Sequence, residues 1–392
     1  MTVSVSSTTS VGSMVTPDVI LRLILGWGAF LALKLAASLL GTHLPTPVLW
    51  ALLGLVVAVI VVCAFGVMRQ AEHLAHRLGD PYGTLVLTLS IVAIEVILIS
   101  AVLLGPGDHT TIARDSVMAV SMIILNLVLG AALLIGGLKH GDLVPNRTGV
   151  SAYLAMTVVL ASVAFVLPVV IGENGAYTPG QAVPIIILTV TIYAFFLWRQ
   201  MGAQKEDFQE VGFVAAGDVV APRPPVTRVI AEHRVEVATR AGLLIAIVLP
   251  IVLLSHDMAA LLDDALGRAG APVALSGIII AAIVFLPETI TTLRAALSGE
   301  IQRVSNLTHG ALVSTVGLTI PSVLIIAMLT DQRVIFAETP ANLVLLAVTG
   351  LLSVAVFSGR RVTAIHGAAH LMVFAVYLLS VFSQEEPPVT AF

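Results

Sequence analysis

Charged residues are scarce in this sequence. Asp, Glu, Lys and Arg make up 11% of its 392 residues, whereas a soluble domain averages about 25%. Apolar residues reach 58%, and the mean hydropathy is +1.05. Because so little charge cannot give a chain of this length a hydrated surface, the composition indicates a protein whose solvent is the lipid bilayer.

Other scarce or missing features each exclude a class of protein. The net charge is −4, so the chain lacks the basic excess of nucleic-acid-binding proteins and no nucleic-acid partner is expected. The single cysteine, Cys63, can form no intrachain disulfide. The sequence contains no P-loop, which argues against an ATP-driven pump. Residues 1–18 are polar and lack the basic start of a cleaved signal peptide, so they are interpreted as a disordered tail.

Apolar runs of about 20 residues recur along the chain, and this is the length that crosses a hydrocarbon core as a helix. They predict an all-α polytopic membrane protein with eleven spans. The predicted spans are residues 19–40, 47–68, 84–105, 115–137, 150–171, 181–199, 240–256, 272–298, 306–330, 336–357 and 362–382. One long polar connection, 200–239, divides the chain into two halves of similar size, and residues 384–392 form a C-terminal tail.

The basic residues predict the orientation of these spans. With alternating spans, fifteen of the 19 Lys and Arg residues fall on the side of the N-terminus. The excess of basic residues in cytoplasmic loops therefore places the N-terminus and the 200–239 loop in the cytoplasm. An odd number of spans then places the C-terminus outside.

Two glutamates lie deep in predicted spans. Glu95 is in the stretch SIVAIEVILIS of span three, and Glu288 is in IVFLPETITT of span eight. Because five spans separate them, their helices cross in opposite directions, and each is followed by a polar turn with an arginine and a small, polar-rich stretch. This pattern predicts an inverted repeat of two five-helix units, 41–199 and 240–383, with 19–40 as an extra helix. Such repeats are the common plan of secondary transporters.

The two carboxylates suggest a mechanism. A charge at a helix centre costs roughly 2.5–3.5 kcal/mol on insertion scales, so intramembrane acids are functional by default. Burial and mutual repulsion favour protonation of the empty site, whereas a bound cation favours ionisation. Carboxylate oxygens suit Ca²⁺ or Na⁺, and Pro287 deprives the Ile283 carbonyl of its helical partner, which leaves it available as a further ligand. Competition between proton and metal for the same groups predicts exchange.

Longer stretches of the sequence resemble one family. They are GTLVLTLSIVAIEVILISAVLLG, FLPETITTLRAALSGEIQRVSNLTHGALVSTVGLTIP, AEHLAHRLGDPYG and GAAHLMVFAVYLLS. They resemble the bacterial calcium(sodium, potassium)/proton antiporters of the ChaA type, in the cation/proton exchanger branch of the Ca²⁺:cation antiporter superfamily. The resemblance extends from about Thr16 to Ser383. It implies alternating access around two opposed repeats, each with one essential glutamate, which by position are Glu95 and Glu288.

The resemblance also implies further ligands on the flanking helices. The polar candidates are Ser121, Asn126, Ser314 and Thr315. Many relatives have Gly-Asn three or four residues before each glutamate, whereas this sequence has Ile91-Val92 and Val284-Phe285. Side-chain amides are therefore missing there, and backbone carbonyls remain. The candidate backbone ligands are those of Ile91, Val92, Ile283 and Val284.

Several histidines raise the question of pH sensing or gating. Glu72, His73 and His76 lie at the cytoplasmic mouth of span three, where histidine titrates near neutrality and can gather protons; an ordinary interfacial turn is an equal alternative. His309 either lines the pathway or forms hydrogen bonds within a helix interface. His366 and His370 have a spacing that suits zinc, but no Glu follows His366 as in the HExxH motif, so bonding within the bundle is favoured.

The sequence thus predicts a secondary antiporter of the bacterial inner membrane, and not an enzyme. It exchanges cytoplasmic Ca²⁺, Na⁺ or K⁺ for external protons through Glu95 and Glu288. No cofactor is expected, and the partners are the lipid bilayer, cations and protons, with a homo-oligomer left open. The alternatives are a cation channel, which needs a continuous pore, and an intramembrane metal-dependent enzyme, which needs a cluster of ligands or acids facing one cavity.

Overall fold

The computed structural model describes residues 14–40, 44–78, 82–103, 110–211, 231–271 and 274–383. Within these ranges each of the eleven predicted spans corresponds to a long helix. The helices are α1 (Pro17–Leu40), α2 (Thr46–Leu78), α3 (Tyr82–Leu103), α4 (Ile112–His140), α5 (Arg147–Ile171), α6 (Pro179–Met201), α7 (Arg234–Ala269), α8 (Ala274–Ser298), α9 (Ile301–Thr330), α10 (Pro340–Ser358) and α11 (Ala364–Ser383). The predicted all-α polytopic class is confirmed.

The helices have the length and composition that a membrane requires. In the described part of the chain, ten helices are long and apolar enough to cross a membrane. The eleventh, α3, has 22 residues, which at a rise of 1.5 Å per residue extend about 33 Å and cover a hydrocarbon core of about 30 Å. The chain is therefore a multi-pass membrane protein.

Helix α7 is the one that differs most from its predicted span. It has 36 residues, so it begins inside the segment assigned to the long loop and continues well beyond residue 256. Pro250 removes only one helical hydrogen bond, and the Ser255 hydroxyl donates back to the Ile251 carbonyl at 2.7 Å. Asp257 forms an ion pair with Lys34 of α1 at 3.2 Å. Two of the polar residues that suggested a helix end thus have partners, Ser255 within α7 and Asp257 on α1, and the helix continues past them.

The central and peripheral helices differ in burial. In its most apolar 18-residue window, α4 is 78% buried and α9 is 67% buried, whereas α1 is only 17% buried. Helix α9 carries many polar residues that are nevertheless buried, including Ser305, Thr308, His309, Ser314, Thr315 and Thr319. Because these side chains face protein instead of lipid, α9 is the natural place to look for a polar site.

The packing of the two glutamate-bearing helices is reciprocal. Helix α3, from the first half of the chain, packs against α9 of the second half. Helix α8, from the second half, packs against α4 of the first half. The glutamates on α3 and α8 are therefore each held against a helix of the opposite half.

A tight turn joins α8 to α9. Gly299 has φ +81°, a left-handed conformation that glycine adopts without steric cost. Its N–H donates to the Ala296 carbonyl at 3.1 Å, and the Glu300 N–H donates to the Ala295 carbonyl at 2.9 Å. This two-residue connection keeps the C-terminal half of α8 beside the N-terminal half of α9.

The described beginning of the long loop docks onto the start of α9. The Glu210 carboxylate accepts the backbone N–H of Arg303 at 2.9 Å, and the Asn306 side chain donates to the Phe208 carbonyl at 2.7 Å. The Phe208 ring packs edge-on against Tyr153, with centroids 5.2 Å apart. Residues 212–230 of the loop, 1–13 of the predicted N-terminal tail and 384–392 of the C-terminal tail lie outside the described residues.

Candidate functional site

Glu95 is buried at the interface of α3 and α9. Only 3% of its surface is exposed, because apolar residues surround it on α3 and α9 covers its carboxyl group. The Thr315 hydroxyl of α9 donates to Oε2 of Glu95 at 2.6 Å. Oε1 has no hydrogen-bond partner among the described residues. One predicted flanking residue, Thr315, thus contacts a predicted carboxylate directly.

Glu288 lies on α8 beside a small cavity. It is 4% exposed, and neither carboxyl oxygen has a hydrogen-bond partner among the described residues. The cavity has a volume of about 10 Å³, which is room for about one water molecule. Its lining consists of Ile124, Val128, Phe285, Glu288, Thr289, Thr292, Leu307 and Thr308.

The two carboxylates are distant in sequence, but their helices meet: α3 contacts α8, and both pack against α9. Three of their four oxygens lack a hydrogen-bond partner among the described residues. Because an unpaired buried carboxylate is costly, the arrangement is stable only when protons or a cation neutralise the pair. The site can therefore accept positive charge.

The predicted backbone ligands lie one helical turn before each glutamate. Val92 is fully buried, Val284 is 9% exposed and Ile283 is partly buried. The side chain of Ile91 lies outside the described residues. Helix α8 continues through Pro287, whose own carbonyl accepts the Thr291 hydroxyl at 3.1 Å.

Asn126 occupies an irregular turn of α4. The segment Ile123–Val128 is a π-helix, a distortion found frequently at functional sites. The Asn126 side chain donates to the Thr349 hydroxyl at 2.9 Å, and its Oδ1 lies 3.1 Å from Nδ1 of His370. Both ends of this amide are therefore engaged by α10 and α11.

The two predicted serines are also engaged by protein groups. The Ser121 hydroxyl donates to the Val117 carbonyl of its own helix at 2.7 Å. Ser314 accepts a hydrogen bond from the Tyr193 hydroxyl at 2.9 Å. Of the four predicted polar residues, only Thr315 bonds to either glutamate among the described residues.

The predicted pH-sensing residues occupy different environments. His309 is fully buried; its Nδ1 lies 3.2 Å from the Ser305 carbonyl, and its ring packs edge-on against Phe357 with centroids 5.2 Å apart. At the end of α2, Glu72 is half-buried and His73 is exposed. The side chain of His76 lies outside the described residues.

Three threonines near Glu288 were missed by the sequence analysis. Thr289, Thr292 and Thr308 line the cavity. Thr292 follows Glu288 by four residues, so both side chains lie on one face of α8, and this spacing was a usable signal. Thr308 belongs to α9 and has no local signal, because only the packing of α8 against α9 brings it there.

Comparisons with known proteins agree with the predicted family. The family described as sodium/calcium exchanger protein matches residues 48–202 and 239–383. The chain is 32% identical over 349 residues to the sodium-potassium/proton antiporter ChaA of Escherichia coli (strain K12), which covers 88% of this chain and 92% of that relative. The resemblance inferred from the quoted stretches is confirmed.

Solved structures show the same fold at low identity. Native YfkE superimposes with a TM-score of 0.66 at 17% identity, over 93% of this chain and all of that one. The H⁺/Ca²⁺ exchanger CAX gives a TM-score of 0.63 at 16% identity, over 93% and 89% of the two chains. The chain therefore belongs to the sodium/calcium exchanger protein family, as a multi-pass secondary antiporter and not an enzyme.

Proposed function

We propose that this antiporter exchanges cytoplasmic Ca²⁺, Na⁺ or K⁺ for external protons, and that Glu95 and Glu288 bind either proton or cation. The observation that carries the proposal is the pair of buried carboxylates, one from each half of the chain, on helices α3 and α8 that contact each other and both pack against α9. The proposal is further supported by the names of relatives, since ChaA is a sodium-potassium/proton antiporter and CAX is an H⁺/Ca²⁺ exchanger.

Charge balance links the two kinds of cargo. With both glutamates protonated the site is neutral, and it can cross between its two access states without carrying a buried charge. Na⁺ or K⁺ displaces one proton and Ca²⁺ displaces two, so the loaded site is again neutral. A state with bare carboxylates costs several kcal/mol per ion, so a return without cargo is disfavoured. Because the site does not cross empty, transport of a cation in one direction requires the return of protons in the other, which is exchange.

The two halves act as opposed repeats in this proposal. Residues 41–199 and 240–383 form the five-helix units, and α1 is the extra helix. The two separate family matches, which fall in the two halves, support this division, as does the reciprocal packing of α3 on α9 and of α8 on α4. Rocking of one unit against the other alternates access to the carboxylates.

The proposed location is the bacterial inner membrane, with the N-terminus in the cytoplasm and the C-terminus outside. The unequal distribution of Lys and Arg between the two sides supports this orientation. In that orientation α2 and α4 begin on the outer side and their repeat partners α7 and α9 begin on the cytoplasmic side. The docked segment that contains Phe208 and Glu210 is cytoplasmic.

Inside-out vesicles with an acidic interior test the exchange. Addition of Ca²⁺, Na⁺ or K⁺ outside should collapse the pH gradient as cation enters and protons leave, reported by a pH-sensitive dye. A channel would let the cation equilibrate without consuming the pH gradient. If none of the three cations changes the gradient, the proposed function is wrong.

Neutral variants test the two carboxylates. Glu95→Gln and Glu288→Gln should each abolish exchange, because an amide keeps the shape of the side chain but neither releases a proton nor neutralises a cation. Glu173→Gln, an exposed position in the turn before α6, is the matched control and should exchange as the wild type does. Full exchange by either site variant would remove that residue from the mechanism.

A further inference from the structure

The start of α1 and the end of α2 share an ion pair in which positive charge exceeds negative charge. Arg22 of α1 donates to Asp18, one turn earlier, at 3.1 Å, and Arg69 of α2 donates to the same carboxylate at 2.7 Å. The side chain of Arg22 is 9% exposed, whereas Arg69 is 57% and Asp18 45% exposed. Two guanidinium groups thus meet one carboxylate at a place that is open to the surroundings of the protein.

A second ion pair of the same kind adjoins the first, between α2 and α7. Arg77 of α2 and Arg240 of α7 both pair with the carboxylate of Glu236 at 3.1 Å. Arg240 also donates to the side chain of Gln70 at 3.3 Å. Because Gln70 directly follows Arg69 in α2, the two ion pairs are continuous across α1, α2 and α7.

The arginine cluster, which consists of Arg22, Arg69, Arg77 and Arg240, keeps unused hydrogen-bond donors. Each guanidinium group has five N–H donors, yet Arg69 engages only Nη1 and Arg77 only Nε among the described residues. The Nε of Arg22 is buried without a partner in the same part of the chain. Even with Glu72, a further half-buried carboxylate of α2, the four arginines outnumber the carboxylates. The arginine cluster therefore favours an anionic ligand that is rich in acceptor oxygens.

The position of the arginine cluster along the helices is that of lipid headgroups. Arg69 follows Thr46, the first residue of α2, by about 35 Å at 1.5 Å per residue, which is just beyond a hydrocarbon core of about 30 Å. Deeper in the membrane, apolar side chains on the same helix faces are open to lipid. Leu25, one turn after Arg22, is 36% exposed, and Val62, two turns before Arg69, is 39% exposed. A ligand that matches both surfaces has a phosphate at one end and acyl chains at the other.

We propose that the arginine cluster binds the phosphate headgroup of an anionic phospholipid, whose acyl chains lie along Leu25 and Val62. Basic pockets between membrane helices bind such headgroups. In the proposed orientation this lipid belongs to the cytoplasmic leaflet. It joins α1, the extra helix, to α2 of the first half and α7 of the second half, and its binding does not depend on which cation the protein exchanges.

Titration of the purified full-length protein in detergent with phosphatidylglycerol tests the lipid site. The melting temperature of the wild type should rise and reach a plateau, because a ligand that binds only the folded state stabilises it. Phosphatidylcholine, which has no net charge, and inorganic phosphate, which has no acyl chains, should not produce this rise. Arg69→Gln removes an exposed charge and should weaken the apparent affinity for phosphatidylglycerol about fivefold.

Asp18→Asn should act in the opposite direction. Without its negative charge, this side chain no longer competes with the phosphate for Arg22 and Arg69, so the affinity for phosphatidylglycerol should rise about fivefold. An ion pair with only a structural role would give no such gain. Arg360→Gln is the matched control, because Arg360 is an exposed arginine in the turn between α10 and α11, and this variant should bind the lipid as the wild type does.

Several outcomes would overturn the lipid site. They are an equal rise in melting temperature with phosphatidylcholine, the same rise with inorganic phosphate alone, an unchanged affinity in Arg69→Gln, and an equal loss in Arg360→Gln. Equal gel-filtration profiles establish that the variants are folded. Because these measurements use no cation gradient, their result is independent of the vesicle exchange assay, and either proposal can fail while the other stands.

Discussion

The hydrogen bond between Thr315 and Glu95 joins the two halves of the chain at the candidate site. It is 2.6 Å long, and Thr315 and Glu95 are 0% and 3% exposed. If the Thr315 hydroxyl is removed, water therefore cannot replace it as the donor to Glu95. A hydrogen bond to a charged group contributes about 1.5–3 kcal/mol. Because the cation binds the ionised form of Glu95, Thr315→Val should weaken cation affinity by about 10- to 150-fold.

The assay is the KM of each cation in the vesicle exchange measurement, and it requires two further variants. Thr315→Ser keeps the hydroxyl and should restore the KM. Thr319→Val is the matched control, since Thr319 is a fully buried threonine one turn further along α9 and its hydroxyl has no partner among the described residues. Its KM should stay within about twofold of the wild type. An unchanged KM in Thr315→Val, or an equal rise in Thr319→Val, would refute the reasoning.

Two further predictions concern stability. Gly367→Ala should lower the melting temperature in detergent, because a β-carbon there would overlap the Leu134 backbone of α4 and overpacking costs about 1–3 kcal/mol; Gly350→Ala, with open space around it, should be neutral or slightly stabilising. Burial raises the pKa of Glu338, in the α9–α10 connection, above its usual value of 4.5. Its contribution to stability is therefore present below that value and is lost as pH rises through the raised pKa. The melting temperature of the wild type should then fall relative to Glu338→Gln as pH rises above 4.5, and a constant difference would contradict the raised pKa.

The sequence predicted the helices well because the lipid bilayer imposes a strong and local constraint. Runs of about 20 apolar residues must be helical to satisfy their backbone groups in hydrocarbon, and all eleven predicted spans became helices. The end of α7 was misjudged, since Pro250 and Ser255 resemble a helix end locally. The Ser255 hydroxyl is satisfied within α7 itself, and the nearby Asp257 pairs with Lys34 of α1.

The candidate site divides between local and tertiary information. Glu95 and Glu288 were identifiable from the sequence alone, because a carboxyl group in an apolar run of this length is too costly to be incidental. Their partners were less accessible. Asn126 was expected among the ligands, yet the fold joins it to Thr349 and His370, residues more than two hundred positions away.

The sequence by itself determined that the chain lies in lipid, where its helices are and which two glutamates lie within them. Each of these follows from the cost of placing polar groups in hydrocarbon. Only the tertiary structure decided which oxygens meet those acids. In a chain that is apolar on nearly all sides, hydrophobic periodicity does not distinguish a lipid-facing surface from a protein-facing one. The packing of α3 and α8 against helices of the opposite half brought Thr315 to Glu95 and opened the threonine-lined cavity beside Glu288.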